Sequence, residues 1–210
     1  PLFFENHCNM PIFNGVVNET TFCSRLNVKP ANFERGVMAI VVDTCSLVMI
    51  AKNYLPLDKD GQLYSFLEEA FSRKDLMLLD VILDESNAPP KELQLKRCLS
   101  SKTRNWSFRQ RIYFHVPQRE FSNMIDNNFC VRLKKQELTE EEYIEQKEEY
   151  LKTGDAKIII YALNVRHSDA IHLEEMQVMT EETRQQNDGK LFKKLPLLCE
   201  QIGIGTLTVS

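Results

Sequence analysis

Five consecutive apolar residues, Met38 to Val42, run straight into an acid, Asp43, and a small polar trio, Thr44, Cys45 and Ser46. Three of the five are β-branched and no polar residue alternates with them. Such a run suits a strand buried on both faces, in the middle of a parallel sheet covered by helices. Ligands of open α/β sheets bind beyond the carboxyl ends of the strands, which puts Asp43 at the mouth of a site. The competing reading makes Asp43 only the N-cap of the helix that follows. This stretch alone leaves both open.

The chain beyond Asp43 reads as alternating helices and short strands. Ser46 to Tyr54 suits a short helix stopped by Pro56, and Leu63, Phe66, Leu67, Ala70 and Phe71 recur at helical spacing over Gln62 to Arg73. Leu76 to Leu79 is a second apolar strand, and a helix carrying Asp84 and Glu85 must end before Pro89 and Pro90. A further helix is expected over Phe121 to Asn128. Glu137 to Leu151 is densely charged, with Thr139 and Glu142 spaced as a capping box; its acids fall on all faces, which fits a solvated helix better than a set of ligands. Gly154 breaks that helix, and Asp155 opens one that is apolar nearly all round and so belongs inside, although Asp155 could serve only as its cap. Met176 to Thr180 is another strand ending in acids, Glu181 and Glu182. A loop, a last helix with Pro196 near its start and an edge strand over Gly205 to Val209 complete the pattern.

These alternations predict an α/β fold: a three-layer α/β/α sandwich around a central parallel sheet of four or five strands. At 43% hydrophobic, 210 residues can bury one sizeable core with an appendage. Residues 1–37 show no clear period and are expected to be an N-terminal extension of unknown role, with 38–210 as the folded domain. The six cysteines form no CxxC pair and the four histidines no ligand pattern, which argues against a zinc site and for free thiols in a reducing cytoplasm. No apolar run approaches the length of a membrane span, so no membrane partner is expected.

A formal charge of −4 leaves any nucleic-acid surface to be local. Lys91 to Arg119 is such a segment: Lys91, Lys96, Arg97, Lys102, Arg104, Arg109, Arg111 and Arg119 stand against the single acid Glu92. Trp106, Phe108, Tyr113 and Phe114 are interleaved with them. Basic residues track phosphates and aromatic rings stack on unpaired bases, the way single-stranded nucleic acid is held. The plainer alternative is a solvated helix face beside an ordinary core strand, Ile112 to Val116.

Two strands thus end in carboxylates, Asp43 and Glu181/Glu182, and two helices carry Glu85 and Asp155 near their ends. Crowded acids raise one another's pKa unless a cation is bound. Mg²⁺ and Mn²⁺ prefer oxygen ligands and could keep such a set ionised. Carboxylate-held divalent ions catalyse phosphodiester hydrolysis by activating water and neutralising charge on the phosphoryl group.

At these residues the chain resembles the PIN-domain nucleases, and among them a PIN-like bacterial family related to VapC-type toxins. The matching pieces, in order, are VVDTCSLVMIAKNYLPLD, LDVILDES, GDAKIIIYAL and VMTEET, with KLPLLCEQIGI closing the chain. The resemblance spans Met38 to Ser210 and implies an endoribonuclease that uses Mg²⁺ or Mn²⁺, the toxin of a toxin–antitoxin pair. It carries the ligand and catalytic roles to Asp43, Glu85, Asp155 and Glu182, the last because the pattern takes the second residue after Thr180. RNA is the implied substrate, with Arg104, Arg109 and Arg111 to hold it; an antitoxin protein and a second copy of the chain are candidate partners. One departure is Cys45, where many relatives place Ser, Thr or Asn to order the site; Thr44 or Ser46 could substitute. The rival readings are a PIN fold that binds RNA or a protein without cutting, and a phosphatase or phosphotransferase on a similar acidic sheet. The latter commonly carries DxD after its first strand, against Asp43-Thr44-Cys45 here.

Overall fold

The computed structural model describes residues 39–86, 107–108, 118–167, 176–185 and 189–209. The extension expected at 1–37 and the strand expected at 112–116 lie outside them.

The apolar run forms β1 (Ala39–Val42), the middle strand of a five-stranded sheet. Successive side chains of a strand point to opposite faces, and all four residues of β1 are buried, so both faces of the sheet are covered. β1 pairs in parallel with β2 (Leu76–Leu79) on one side and β4 (Met176–Met179) on the other. β3 (Ser107–Phe108) extends the sheet beyond β2, and β5 (Gly205–Leu207) beyond β4. The order is β3-β2-β1-β4-β5, parallel throughout, so every strand delivers its carboxyl end to the same edge. This is the expected three-layer α/β/α sandwich. The two-residue strand β3 had no clear signal in the sequence.

Parallel strands need crossovers, and the helices supply them. α1 (Thr44–Met49) starts directly after Asp43 and runs on through a π-turn, Ile50–Tyr54. α2 (Gln62–Arg73) buries Leu63, Leu67, Ala70 and Phe71, and packs on β2. It ends where Lys74 adopts φ 66°, a left-handed stop unusual for a residue with a Cβ. α3 (Asp80–Ser86) follows β2 without a loop and packs against α1. α4 (Gln118–Met124) continues into a π-turn, Ile125–Phe129, and a short helix α5 (Arg132–Gln136) follows.

The charged helix α6 (Glu140–Tyr150) has the expected capping box between Thr139 and Glu142. It is tied down by Tyr143 and by Lys147, whose ammonium is 2.7 Å from Asp126. α7 (Gly154–His167) is the internal helix anticipated: Ala156, Ile158, Ile159, Ile160, Ala162 and Leu163 are all buried, and it packs on α3, β2 and α8 (Leu195–Gln201). These residues join β1, β2 and β4 in one hydrophobic cluster. A smaller cluster of Cys130, Tyr143 and Leu191 adjoins it through Phe192. No helix of the described residues is long and apolar enough to cross a membrane.

Candidate functional site

Backbone pairing continues past the strands and fixes the carboxyl edge. Asp43 N donates to Met179 O at 2.9 Å, and Thr180 N donates to Leu207 O at 2.9 Å. Asp43 and Thr180 are therefore held side by side, and Thr180 Oγ1 donates to Asp43 Oδ2 at 3.0 Å. The other oxygen, Oδ1, accepts the N–H of Thr44 at 2.6 Å, so Asp43 does cap α1. The cap occupies one oxygen, and the other lies on the Thr180 and Cys45 side.

Cys45 is not the gap that its side chain suggested. Its thiol donates to Asp43 Oδ2 at 2.8 Å, and Glu181 N donates to its sulfur at 3.1 Å. Burial, then the charge of Asp43, pushes the thiol up to about 12, which keeps it protonated and a donor at neutral pH. Thr44 turns the other way, and its hydroxyl donates to Glu85 Oε2 at 2.8 Å. Ser46 is buried, and its hydroxyl has no partner among the described residues.

Glu85, on α3, faces the start of α7, where the N–H of Gly154 donates to Oε1 at 2.6 Å. Its neighbour Asp84 is exposed. A side chain at 154 would bring a Cβ to 2.7 Å from Ile82 Cδ1 and 2.8 Å from Glu85 Oε2, so one or both of those side chains would have to shift. The cap of α7 is Thr153, whose hydroxyl accepts from Ala156 N at 3.3 Å. Asp155 is thereby left over from capping, half-buried and with no hydrogen-bond donor to its carboxylate among the described residues. Burial, then the charges of Asp43, Glu182 and Glu85, push it up to about 7, against a pull from Lys190. Asp43 is also raised, by burial foremost and least by Glu182, against the hydrogen bonds of Cys45, Thr180 and Thr44.

The two acids after β4 part company. Glu181 turns to the chain end and accepts from Val209 N at 2.5 Å. Glu182 lies toward Asp43 and Asp155, with one oxygen on Leu195 N at 3.3 Å, at the start of α8. Asp43, Glu85, Asp155 and Glu182 thus come from four separate elements to one edge, within electrostatic reach of Asp155. Arg104, Arg109 and Arg111 lie outside the described residues.

Among the described residues, no group of three or more His, Cys, Asp and Glu side chains is placed to hold a metal ion together. The hydrogen bonds give the reason: Asp43, Glu85 and Glu182 are each drawn toward protein donors. Mg²⁺ needs no such cage, since it is usually held by one or two carboxylates with several waters. The donor chemistry fits that mode, because all four groups are hard oxygen ligands and the Asp155 carboxylate has no hydrogen-bond donor among the described residues. Nothing in the sequence signalled that Cys45 and Thr180 would both bond Asp43, and Thr44, offered as a substitute for Cys45, bonds Glu85 instead. The sequence reading also missed Tyr150, Lys190, Lys193 and Lys194, which border Asp155 across a cleft.

Compared with known proteins, the chain matches no family model, no curated protein and no solved structure.

Proposed function

We propose that the protein is a metal-dependent endoribonuclease of the PIN type, acting as the toxin of a toxin–antitoxin pair in the cytoplasm. The observation that carries this reading is the gathering of Asp43, Glu85, Asp155 and Glu182 at the carboxyl edge of a parallel sheet. The motif order along the chain agrees with it. Asp43, Glu85, Asp155 and Glu182 would hold Mg²⁺ or Mn²⁺. When bound, the ion activates water and neutralises charge on the phosphoryl group.

The protein's own part is to hold these carboxylates ready. Thr180 and Cys45 orient Asp43, while Thr44 and Gly154 orient Glu85. Asp155, pushed up to about 7 by burial and its neighbouring carboxylates, is the group whose ionisation a divalent ion would favour most. RNA is the proposed substrate, with an antitoxin and a second copy of the chain as proposed partners.

A binding module that holds RNA without cutting it is favoured by one observation, the absence of a ready three-ligand cluster among the described residues. One assay separates the two: purified protein on mixed RNA with Mg²⁺, with Mn²⁺ and with EDTA. Cleavage with either ion and none in EDTA is expected. Cleavage that persists in EDTA overturns the metal-dependent reading, and binding without cleavage leaves the module.

A further inference from the structure

Of the two acids that follow β4, Glu182 lies toward the candidate site and Glu181 turns away, yet Glu181 is held at both its ends. Its carboxylate accepts the N–H of Val209 at 2.5 Å, and its own N–H donates to Cys45 Sγ at 3.1 Å. Cys45 in turn donates to Asp43 Oδ2 at 2.8 Å. A chain of hydrogen bonds thus runs from Val209 through Glu181 and Cys45 to the carboxylate that follows the middle strand.

The far end of this chain of bonds is anchored. Val209 is fully buried and belongs to the main hydrophobic cluster. Its carbonyl accepts the hydroxyl of Tyr54 at 2.8 Å, from the π-turn that continues α1. Thr180 N donates to Leu207 O at 2.9 Å, so backbone pairing carries the sheet as far as residue 180. The Glu181 side chain carries the tie one step further, to Val209. A backbone N–H on a carboxylate is charge-assisted and about twice as strong as a neutral pair. The near end needs such support. A thiol is a weak donor and its sulfur a weak acceptor, so what holds the sulfur decides where the thiol points.

We propose that Glu181 is a positioning residue for the metal site: it passes the fixed place of Val209 to Cys45, and so keeps the Asp43 carboxylate in one orientation. Glu181 itself touches neither ion nor substrate. The role rests on the reading of Asp43 as a ligand of Mg²⁺ or Mn²⁺.

The test measures Mn²⁺ affinity by calorimetry on the full chain, with no RNA present. Glu181→Ala should weaken Mn²⁺ binding about fivefold, the scale of one hydrogen bond. Glu181→Gln keeps an oxygen for the Val209 N–H and should bind Mn²⁺ as the wild type does. In a Cys45→Ala background, Glu181→Ala should add nothing, because its effect passes through Cys45. A merely structural tie would lower the melting temperature, and any loss of Mn²⁺ affinity would be the same with or without Cys45. Amide exchange at residue 181, followed by NMR in EDTA, reads the same bonds without metal. It should be slow in the wild type and in Glu181→Gln, and faster in Glu181→Ala. Equal Mn²⁺ affinity in the wild type and Glu181→Ala, or an equal loss in both backgrounds, overturns the inference; RNA cleavage with Mn²⁺ would leave the nuclease reading standing. A loss that depends on Cys45, with no RNA cut, keeps the positioning role and removes the nuclease reading. A wild type that binds no Mn²⁺ overturns both.

Discussion

The N–H of Gly154 donates to Glu85 Oε1 at 2.6 Å, which ties the first turn of α7 to the acid on α3. Asp155 follows immediately, so this hydrogen bond, with the packing of α3 on α7, brings two of the four acids to neighbouring places. Gly154→Ala would gain about 1 kcal/mol of helix propensity. It would also force a Cβ against buried Ile82 and the Glu85 carboxylate, an overpacking cost of about 1–3 kcal/mol. A net loss on the order of 1 kcal/mol is expected, or about 2–4 °C in melting temperature. Glu85 must swing away from Thr44, so stabilisation by Mg²⁺ should shrink as well. Thermal melts with Mg²⁺ and with EDTA check both.

Cys45→Ser keeps a donor on Asp43 Oδ2 and should retain folding and RNA cleavage. Cys45→Ala leaves that oxygen to Thr180 alone and should cost about 1 kcal/mol. Because the thiol is half-buried and pushed up to about 12, thiol-alkylating reagents should leave native Cys45 unmodified at neutral pH. Peptide mapping after alkylation measures this; ready labelling of the folded protein would show the thiol is not held as described.

The sheet was legible because β1 and β2 are apolar on both faces, and because these strands and β4 end abruptly. α7 was legible for a similar reason, since no surface could tolerate so apolar a helix. What stayed hidden depends on encounters between distant residues. Thr44 meeting Glu85 spans 41 positions and Thr180 meeting Asp43 spans 137, and no local spacing announces either. Tyr150 read as one more residue of a charged helix, and only the fold sets its hydroxyl beside Asp155. Lys190, Lys193 and Lys194 looked like loop and helix-start residues until the pairing of 191–193 with 129–131 fixed their wall. α5 lacked a core-facing stripe, with Leu133 exposed, and so gave no periodic signal.

Asp155 should make metal-free stability depend on pH. Its folded pKa is raised from 3.8 to about 7, by burial and then by Asp43, Glu182 and Glu85. Between those values the folded state holds a proton that the unfolded chain has released, so stability falls as pH rises through that window. Asp155→Asn removes this dependence. In EDTA the variant should be the more stable at about pH 7.5, and its advantage should fade toward about pH 4. Each pKa unit corresponds to about 1.4 kcal/mol, so a difference of a few kcal/mol is the ceiling. Asp43, raised in the same sense, leaves the variant a residual slope. Melts of both proteins across this range test it, and parallel curves would remove Asp155 from the crowded set.

Asp43→Asn is the substitution that separates metal service from capping. Asn retains an oxygen for the N–H of Thr44, now accepted by Oδ1 at 2.6 Å, so the start of α1 should survive. It removes the charge that attracts a hard divalent ion and the charge that raises Asp155. Stability in metal-free buffer should therefore be unchanged or slightly higher, while RNA cleavage should be abolished. Mg²⁺ should raise the melting temperature of the wild type by mass action, equivalent to about 2.7 kcal/mol at a hundredfold excess over Kd, and do much less for the variant. Were Asp43 only a cap, Asp43→Ala would cost about 0.5–2 kcal/mol and Mg²⁺ would act equally on both proteins. An Asp43→Asn protein that still cuts RNA would end the nuclease assignment.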